Sequence, residues 1–111
     1  EYWTLVGTWL EAERAEYRLA RSQLEAGDSK SAVQSALRCV AICDRNGAPA
    51  FERFFAHAVL ALAQRTAGDG DAFQVSRAQA LSQFDALPQD ERRWCKGDLD
   101  ELAQTTPEVS R

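Results

Sequence analysis

Apolar residues recur every three or four positions along most of this chain, in long segments separated by glycine and proline. That spacing places them on one side of an α-helix, whereas the strict alternation typical of β-strands is missing. The pattern predicts an all-α fold with helices at about residues 2–26, 29–46, 49–67, 71–87 and 89–104. We expect the last helix to break near Gly97. The tail, residues 105–111, has little to bury and is predicted to fray.

Glycine, aspartate and proline mark the ends of these predicted helices. Gly27 suits the left-handed conformation that often ends a helix, and either Asp28 or Ser29 can cap the helix that follows. Pro49 suits the first turn of the third helix, where its missing N–H is not needed. The third segment is apolar nearly all round, which is typical of a helix packed between others.

The sequence also repeats itself, with Leu60 following Leu19 at a distance of 41 residues. Without any gap, Leu19-Ala20 aligns with Leu60-Ala61, and Ala26-Gly27-Asp28 aligns with Ala67-Gly68-Asp69. A fixed period of this size is typical of stacked supersecondary units, here a long helix, a Gly-Asp turn and a second helix.

These positions resemble the tetratricopeptide-repeat family. In that family the first helix of each pair carries a large apolar residue followed by a small one, as in Leu19-Ala20 and Leu60-Ala61. The pair then turns, often at Gly-Asp, as at Gly27-Asp28 and Gly68-Asp69, and a small residue such as Ala32 opens the second helix. The resemblance implies a right-handed stack of antiparallel helix pairs.

The match covers residues 10–87 and departs from the family in three ways. The period is longer than the usual value of about 34 residues. Glutamines 23 and 64 stand where an aromatic residue is expected, and Asp44 replaces the proline that usually closes a unit. We expect one domain over residues 1–104, with repeat units at about 5–46 and 49–87 and a closing helix at 89–104.

The resemblance also implies a binding surface, because the first helices of successive tetratricopeptide pairs line a concave groove. Carried over through the Gly-Asp turns, that surface comprises Arg14, Tyr17, Arg21, Phe55 and Arg65. Arginine presents a planar fork suited to carboxylates, and aromatic rings offer rigid apolar contact. The implied partner is a protein or peptide with acidic groups. Two alternatives stay open, namely that the arginines only solvate a helix face, or that the closing helix fills the groove.

Composition narrows the classes of partner. The chain has 111 residues with 13 basic and 17 acidic side chains, and this acidic balance argues against nucleic acids and anionic membranes as partners. Three cysteines cannot form a closed disulfide set, which favours a reducing cytoplasm. Abundant arginine and alanine suggest a bacterial source. The chain contains no methionine, so we expect a piece of a longer protein.

Cysteine and histidine supply the candidate metal chemistry. Cys39 and Cys43 lie four residues apart on one predicted helix face, and His57 and Cys95 would complete a ligand set. Both helix cysteines, however, fall within an apolar stripe, where free cysteine behaves as a small buried hydrophobe. We therefore expect buried thiols, a structural histidine, and neither metal nor cofactor.

Two carboxylates, Glu13 and Glu16, intrude on the apolar side of the first helix. Buried carboxylates signal either pairing or function, and we expect these to lie at the stripe edge or to pair with Arg77. No catalytic motif is present, so the sequence favours a non-catalytic protein-interaction module over an enzyme. The other alternative is a self-association domain, since Trp3 and Trp9 give the first helix an aromatic end.

Overall fold

The computed structural model describes the backbone of residues 2–103 and the side chains of residues 8–103. Over this range the chain is all-helical, as predicted. Four long helices come first and are followed by a closing segment, and their bounds are α1 Tyr2–Glu25, α2 Ser29–Asn46, α3 Ala50–Thr66 and α4 Gly70–Asp85. The closing segment comprises α5 Gln89–Arg92, a 3-10 turn at Arg93–Cys95, and α6 Lys96–Ala103. Among these described helices, none combines the length and apolar character needed to cross a bilayer.

The helix ends follow the local chemistry of the sequence. Asp28 caps α2 by accepting the backbone N–H three residues on at 3.2 Å, and Asp69 caps α4 in the same way at 3.1 Å. Gly27 and Gly68 precede them in the left-handed region, at φ values of 82° and 87°. Pro49 lies just before α3, as its N-cap residue, and not inside its first turn.

An equivalent hydrogen bond joins the two helices within each pair. Ser35 on α2 donates to the side-chain oxygen of Gln23 on α1 at 2.8 Å, and Ser76 on α4 donates to Gln64 on α3 at 2.7 Å. Both bonds join residues that are 12 apart across a Gly-Asp turn. The glutamines that replace the expected aromatic residues thus tie the second helix of each pair to the first.

Helix α3 lies at the centre of the fold and packs against α1, α2, α4 and α6. Small side chains allow the close crossings, since Ala20, Ala36 and Ala61 are fully buried. Phe54 is also fully buried, in a cluster to which α4 and the closing segment contribute Phe73 and Leu102. Burial of a side chain of this size stabilises the fold by about 1.5–3 kcal/mol.

Two leucines of the α1–α2 pair are exposed to solvent. Leu19 is 43% exposed and Leu37 is 49% exposed, whereas Leu60, the repeat counterpart of Leu19, is 6% exposed. The difference arises because α3 has helices around it, while the α1–α2 pair stands at the end of the stack. At equivalent repeat positions, Leu60 therefore packs against other helices, whereas Leu19 faces solvent.

The closing helix breaks near Gly97, as predicted. It tightens into the 3-10 turn at Arg93–Cys95, two residues before Gly97, and this turn directs Cys95 into the core. The predicted frayed tail at 105–111 and the side chain of Trp3 lie outside the described residues.

Candidate functional site

The closing segment occupies part of the predicted groove. Tyr17 on α1 donates its hydroxyl to Asp98 of α6 at 2.8 Å. Arg21 donates two hydrogen bonds to the carboxylate of Glu101, at 3.0 and 3.3 Å, and Arg65 donates to the backbone carbonyl of Glu101 at 3.0 Å. Three of the five predicted groove residues are therefore engaged by the chain's own closing helix.

A second arginine supports the end of the same helix. Arg77 on α4 donates to the backbone carbonyl of Leu102 at 3.3 Å, beside the bond from Arg65 to Glu101. Carbonyls in the last turn of a helix have no partner within the helix, and a cation there also interacts favourably with the helix dipole. These contacts fix α6 against α3 and α4.

The remaining part of the groove stays open. It is a cleft of about 400 Å³ between α1, α3 and the closing segment, hereafter the open groove. It is lined by four aromatic side chains, two arginines and two glutamates, namely Tyr17, Phe51, Phe55, Trp94, Arg14, Arg18, Glu13 and Glu52. The structure thus brings Arg14, Tyr17 and Phe55 together in one cleft.

Edge-to-face contacts fix the aromatic wall of the open groove. The ring centroids of Tyr17 and Phe55 lie 5.7 Å apart, and those of Phe51 and Phe55 lie 5.1 Å apart, with steep angles between the ring planes. This edge-to-face geometry is a favoured one for aromatic pairs and stabilises the packing of the three rings. Trp94 completes the wall from the closing segment and is 65% exposed.

Two carboxyl groups lie among the buried residues of the groove. Glu13 is 1% exposed, and one of its oxygens, Oε2, accepts a hydrogen bond from the thiol of Cys39 at 3.3 Å. Glu52 is also buried and accepts two hydrogen bonds from the guanidinium of Arg14. The other oxygen of Glu13, Oε1, receives no hydrogen bond from a donor among the described residues.

The pKa values of the two carboxyl groups are shifted in opposite directions. Burial raises the pKa of Glu13 to about 8, and the adjacent carboxyl of Glu52 adds to the rise. Burial also opposes ionisation of Glu52, but hydrogen bonds from Arg14 and Glu13 hold the pKa of Glu52 below its usual range. At neutral pH, Glu13 therefore keeps its proton and shares it with an ionised Glu52, which pairs with Arg14.

The predicted partner of the two intruding carboxylates was wrong. Arg77 binds the closing helix, while Glu13 faces Cys39 and Glu52, and Glu16 pairs with Arg38 on α2 at 3.1 Å. The reason is that α2 and α3, not α4, pack against the glutamate face of α1.

The three cysteines lie in the core as free thiols, which confirms the expectation of buried cysteines. A hydrogen bond with Cys43 and burial both raise the pKa of Cys39, and burial raises the pKa of Cys95 to about 11. His57 is half-buried, and the loss of solvent lowers its pKa. In residues 8–103, no three His, Cys, Asp or Glu side chains are grouped in a way that could hold a metal ion.

Four residues of the open groove were not predicted from the sequence: Arg18, Phe51, Glu52 and Trp94. The repeat aligns Glu52 with Glu11, which is exposed, and this alignment concealed the buried position of Glu52. The spacing of Glu13 on the apolar side of α1 was the one signal that pointed to the carboxyl pair. Trp94 belongs to the closing segment, whose position against α1 no local pattern specifies.

Comparison with protein-family models, with curated proteins and with solved structures finds no match for this chain. The contacts of the open groove are therefore the basis on which its function is inferred.

Proposed function

We propose that this chain is a non-catalytic protein-interaction module, built of helix pairs that resemble tetratricopeptide repeats, and that the open groove binds a segment of a partner protein. The observation that supports this most is the aromatic wall, whose largest side chain, Trp94, is 65% exposed. Tryptophan and tyrosine at the centre of a pocket often supply much of the binding energy of an interface.

The closing helix indicates the character of the partner. On the same face of α1, immediately beside the open groove, Tyr17 and Arg21 already hold the acidic side chains of α6. Arg18 is exposed at the groove and forms no ion pair with the described residues. An acidic segment laid along the open groove would extend an interface that the chain already makes with itself, and we infer that the partner is acidic.

Synthetic peptides test this proposal. We expect a labelled 12-residue peptide of glutamate and alanine with central apolar residues to bind more tightly than a matched lysine and alanine peptide, as measured by fluorescence anisotropy. Trp94→Ala should weaken binding of the acidic peptide by at least about tenfold, which corresponds to about 1.4 kcal/mol. Arg18→Ala should weaken it by a smaller factor, because its charge is partly screened by solvent.

The matched control is Arg45→Ala, which removes an exposed arginine from α2, outside the groove lining. Equal affinity of the parent and Trp94→Ala proteins for the acidic peptide would contradict the groove assignment. Equal affinity for the acidic and basic peptides would contradict the charge preference.

Self-association is the second candidate function, and exposed leucines favour it. Leu19 and Leu37 belong to the α1–α2 pair, which ends the stack, and a second copy that packed there would bury both. Sedimentation equilibrium distinguishes the alternatives. A dimer that Leu19→Glu together with Leu37→Glu dissociates would establish this role, whereas a monomer at all concentrations would exclude it.

The three buried free thiols fit a reducing compartment, and we infer a cytoplasmic location on that ground.

A further inference from the structure

Helix α6 is a short segment that depends on its neighbours for its structure. It has 8 residues, whereas an isolated helix in water needs about 12–15 residues even to be marginally stable. The 3-10 turn Arg93–Cys95 separates α6 from the rest of the closing segment, and such a turn within a helical stretch often marks a hinge. Helix α6 can therefore leave its place while the turn keeps Cys95 in the core and Trp94 at the open groove.

Polar contacts with α1 hold one face of α6. Asp98 and Glu101 lie three residues apart on this helix. Their carboxylates contact Tyr17 and Arg21, which lie four residues apart on α1. The ion pair is open to water, because the side chains of Arg21 and Glu101 are 30% and 41% exposed. Water screens both charges, so a carboxylate of another segment can replace that of Glu101 at little cost.

Two leucines supply the apolar contact of α6. Leu102 is buried and Leu99 is half-buried, and both pack in the cluster around Phe54. A segment that replaced α6 would have to bury apolar side chains at the same two places, because these places otherwise open onto the core. From Asp98 to Leu102, the contacting residues follow the order acidic, apolar, any residue, acidic, apolar. This order describes what the surface beneath α6 accepts.

Space remains around α6 that its side chains do not fill. A cleft of about 230 Å³ lies between α1, α3 and α6, and its lining includes Leu24, Leu62 and Glu101. The open groove is a second adjoining cleft, since Tyr17 both lines it and bonds to Asp98 of α6. Side chains within a protein core leave few gaps of this size, so α6 covers its surface incompletely. A longer helix with larger side chains would cover more of it.

We propose that α6 is an autoinhibitory occupant of the groove, and that an acidic helix of the partner, with the same order of acidic and apolar residues, displaces it and binds in its place. This inference rests on the proposed function, since it extends the site of the acidic segment from the open groove to the surface beneath α6. Charge selects the occupant. Arg21 forms its ion pair with Glu101, and a segment without carboxylates would leave this partly enclosed cation unpaired.

A pair of peptides and hydrogen exchange of the parent protein test the proposal without a variant. The glutamate peptide is a 16-residue, alanine-rich helix that contains glutamate, leucine, alanine, glutamate and leucine in this order. The control peptide has glutamine at both glutamate positions. The glutamate peptide at saturation should speed exchange of the α6 amides by at least about tenfold and leave those of α2 unchanged, as measured by mass spectrometry. The control peptide at the same concentration should change neither.

A double variant, Asp98→Asn with Glu101→Gln, should release the inhibition. It removes both carboxylates that hold α6 to α1, so the glutamate peptide should bind at least about fivefold more tightly than it binds the parent in a fluorescence anisotropy titration. Asp100→Asn removes an exposed carboxylate from the same helix and serves as the matched control, with an affinity close to that of the parent. Equal affinity of the parent and a folded double variant would overturn the proposal.

The exchange measurement decides the question even if the double variant does not fold, and its outcomes separate the two proposals. If the glutamate peptide binds the parent and the α6 amides keep their rate or gain protection, the autoinhibition is overturned. Such binding would leave the groove function standing if Trp94→Ala weakens it. If the glutamate peptide binds neither the parent nor the double variant, both the autoinhibition and the proposed function are overturned.

Discussion

The hydroxyl of Tyr17 on α1 donates a hydrogen bond to Oδ2 of Asp98 on α6 at a distance of 2.8 Å. The two residues are 81 positions apart, and their bond holds the closing helix against the first helix of the chain. Burial, together with the charge of Asp98, raises the pKa of Tyr17 above its usual range, so Tyr17 keeps its proton and acts as a donor at neutral pH. The boundary between the filled and the open parts of the groove depends on this contact.

Tyr17→Phe should loosen the closing helix. The change removes the donor and leaves a half-buried carboxylate without its hydrogen bond, which costs about 1–3 kcal/mol. Hydrogen exchange measured by mass spectrometry should rise in α6 and stay unchanged in α2. Arg18→Ala, one residue away and exposed, serves as the control and should leave α6 protected. Unchanged exchange in α6 of Tyr17→Phe would show that other contacts hold the closing helix.

Stability should depend on pH through Glu13. Its pKa is raised from 4.5 to about 8, so between these values the folded protein binds a proton that the unfolded chain has lost. The free energy of unfolding therefore falls as pH rises through this window, by on the order of 2 kcal/mol between about pH 5 and pH 7. Glu52, whose pKa is lowered, acts in the opposite sense and below pH 4.5, outside the window.

Urea unfolding of parent and Glu13→Gln proteins at several pH values measures this contribution. Both proteins contain His57, so the difference between their free energies of unfolding removes the contribution of His57 to the pH dependence. Glu13→Gln should be the more stable protein at pH 7, and its advantage should vanish near pH 5. A constant difference across that range would mean that Glu13 is ionised in the folded protein.

Leucines 19 and 60 provide a matched pair for the packing of the repeat. Leu60→Asp places an unpaired charge among the helices around α3 and should unfold the domain or lower its stability by about 3 kcal/mol or more. Leu19→Asp changes the equivalent repeat position, where the leucine is already 43% exposed. This substitution should lower the free energy of unfolding by less than about 1 kcal/mol. Thermal melts followed by circular dichroism compare the two. Similar melting temperatures would contradict the placement of α3 at the centre of the stack.

The thiols should react only when the fold opens. Burial keeps Cys39 and Cys43 from solvent, and the raised pKa of Cys39 disfavours its reactive thiolate. A coloured thiol reagent should label these residues slowly in buffer and rapidly in denaturant, and the release of chromophore reports the rate. A chelator should leave the melting temperature unchanged. A large fall on addition of chelator would instead indicate a structural metal ion.

The helices, their caps and the internal repeat can all be predicted from the amino-acid sequence. The four long helices begin and end within two residues of their predicted bounds. These features are local, because helical periodicity spans three or four residues and a cap such as Asp28 needs only the backbone N–H three positions on. The repeat also showed which segments are equivalent, and the matching bonds of Gln23 and Gln64 follow from that equivalence.

How the helices pack against one another depends on contacts that are distant in the sequence. The tertiary structure placed Glu13 against Glu52, brought Asp98 to Tyr17, and left Leu19 exposed where Leu60 is buried. A periodic pattern states which face of a helix is apolar, but it does not state which neighbour covers that face or where the stack ends. The open groove exists because the closing segment covers part of one face, and that outcome depends on contacts between residues about 80 positions apart.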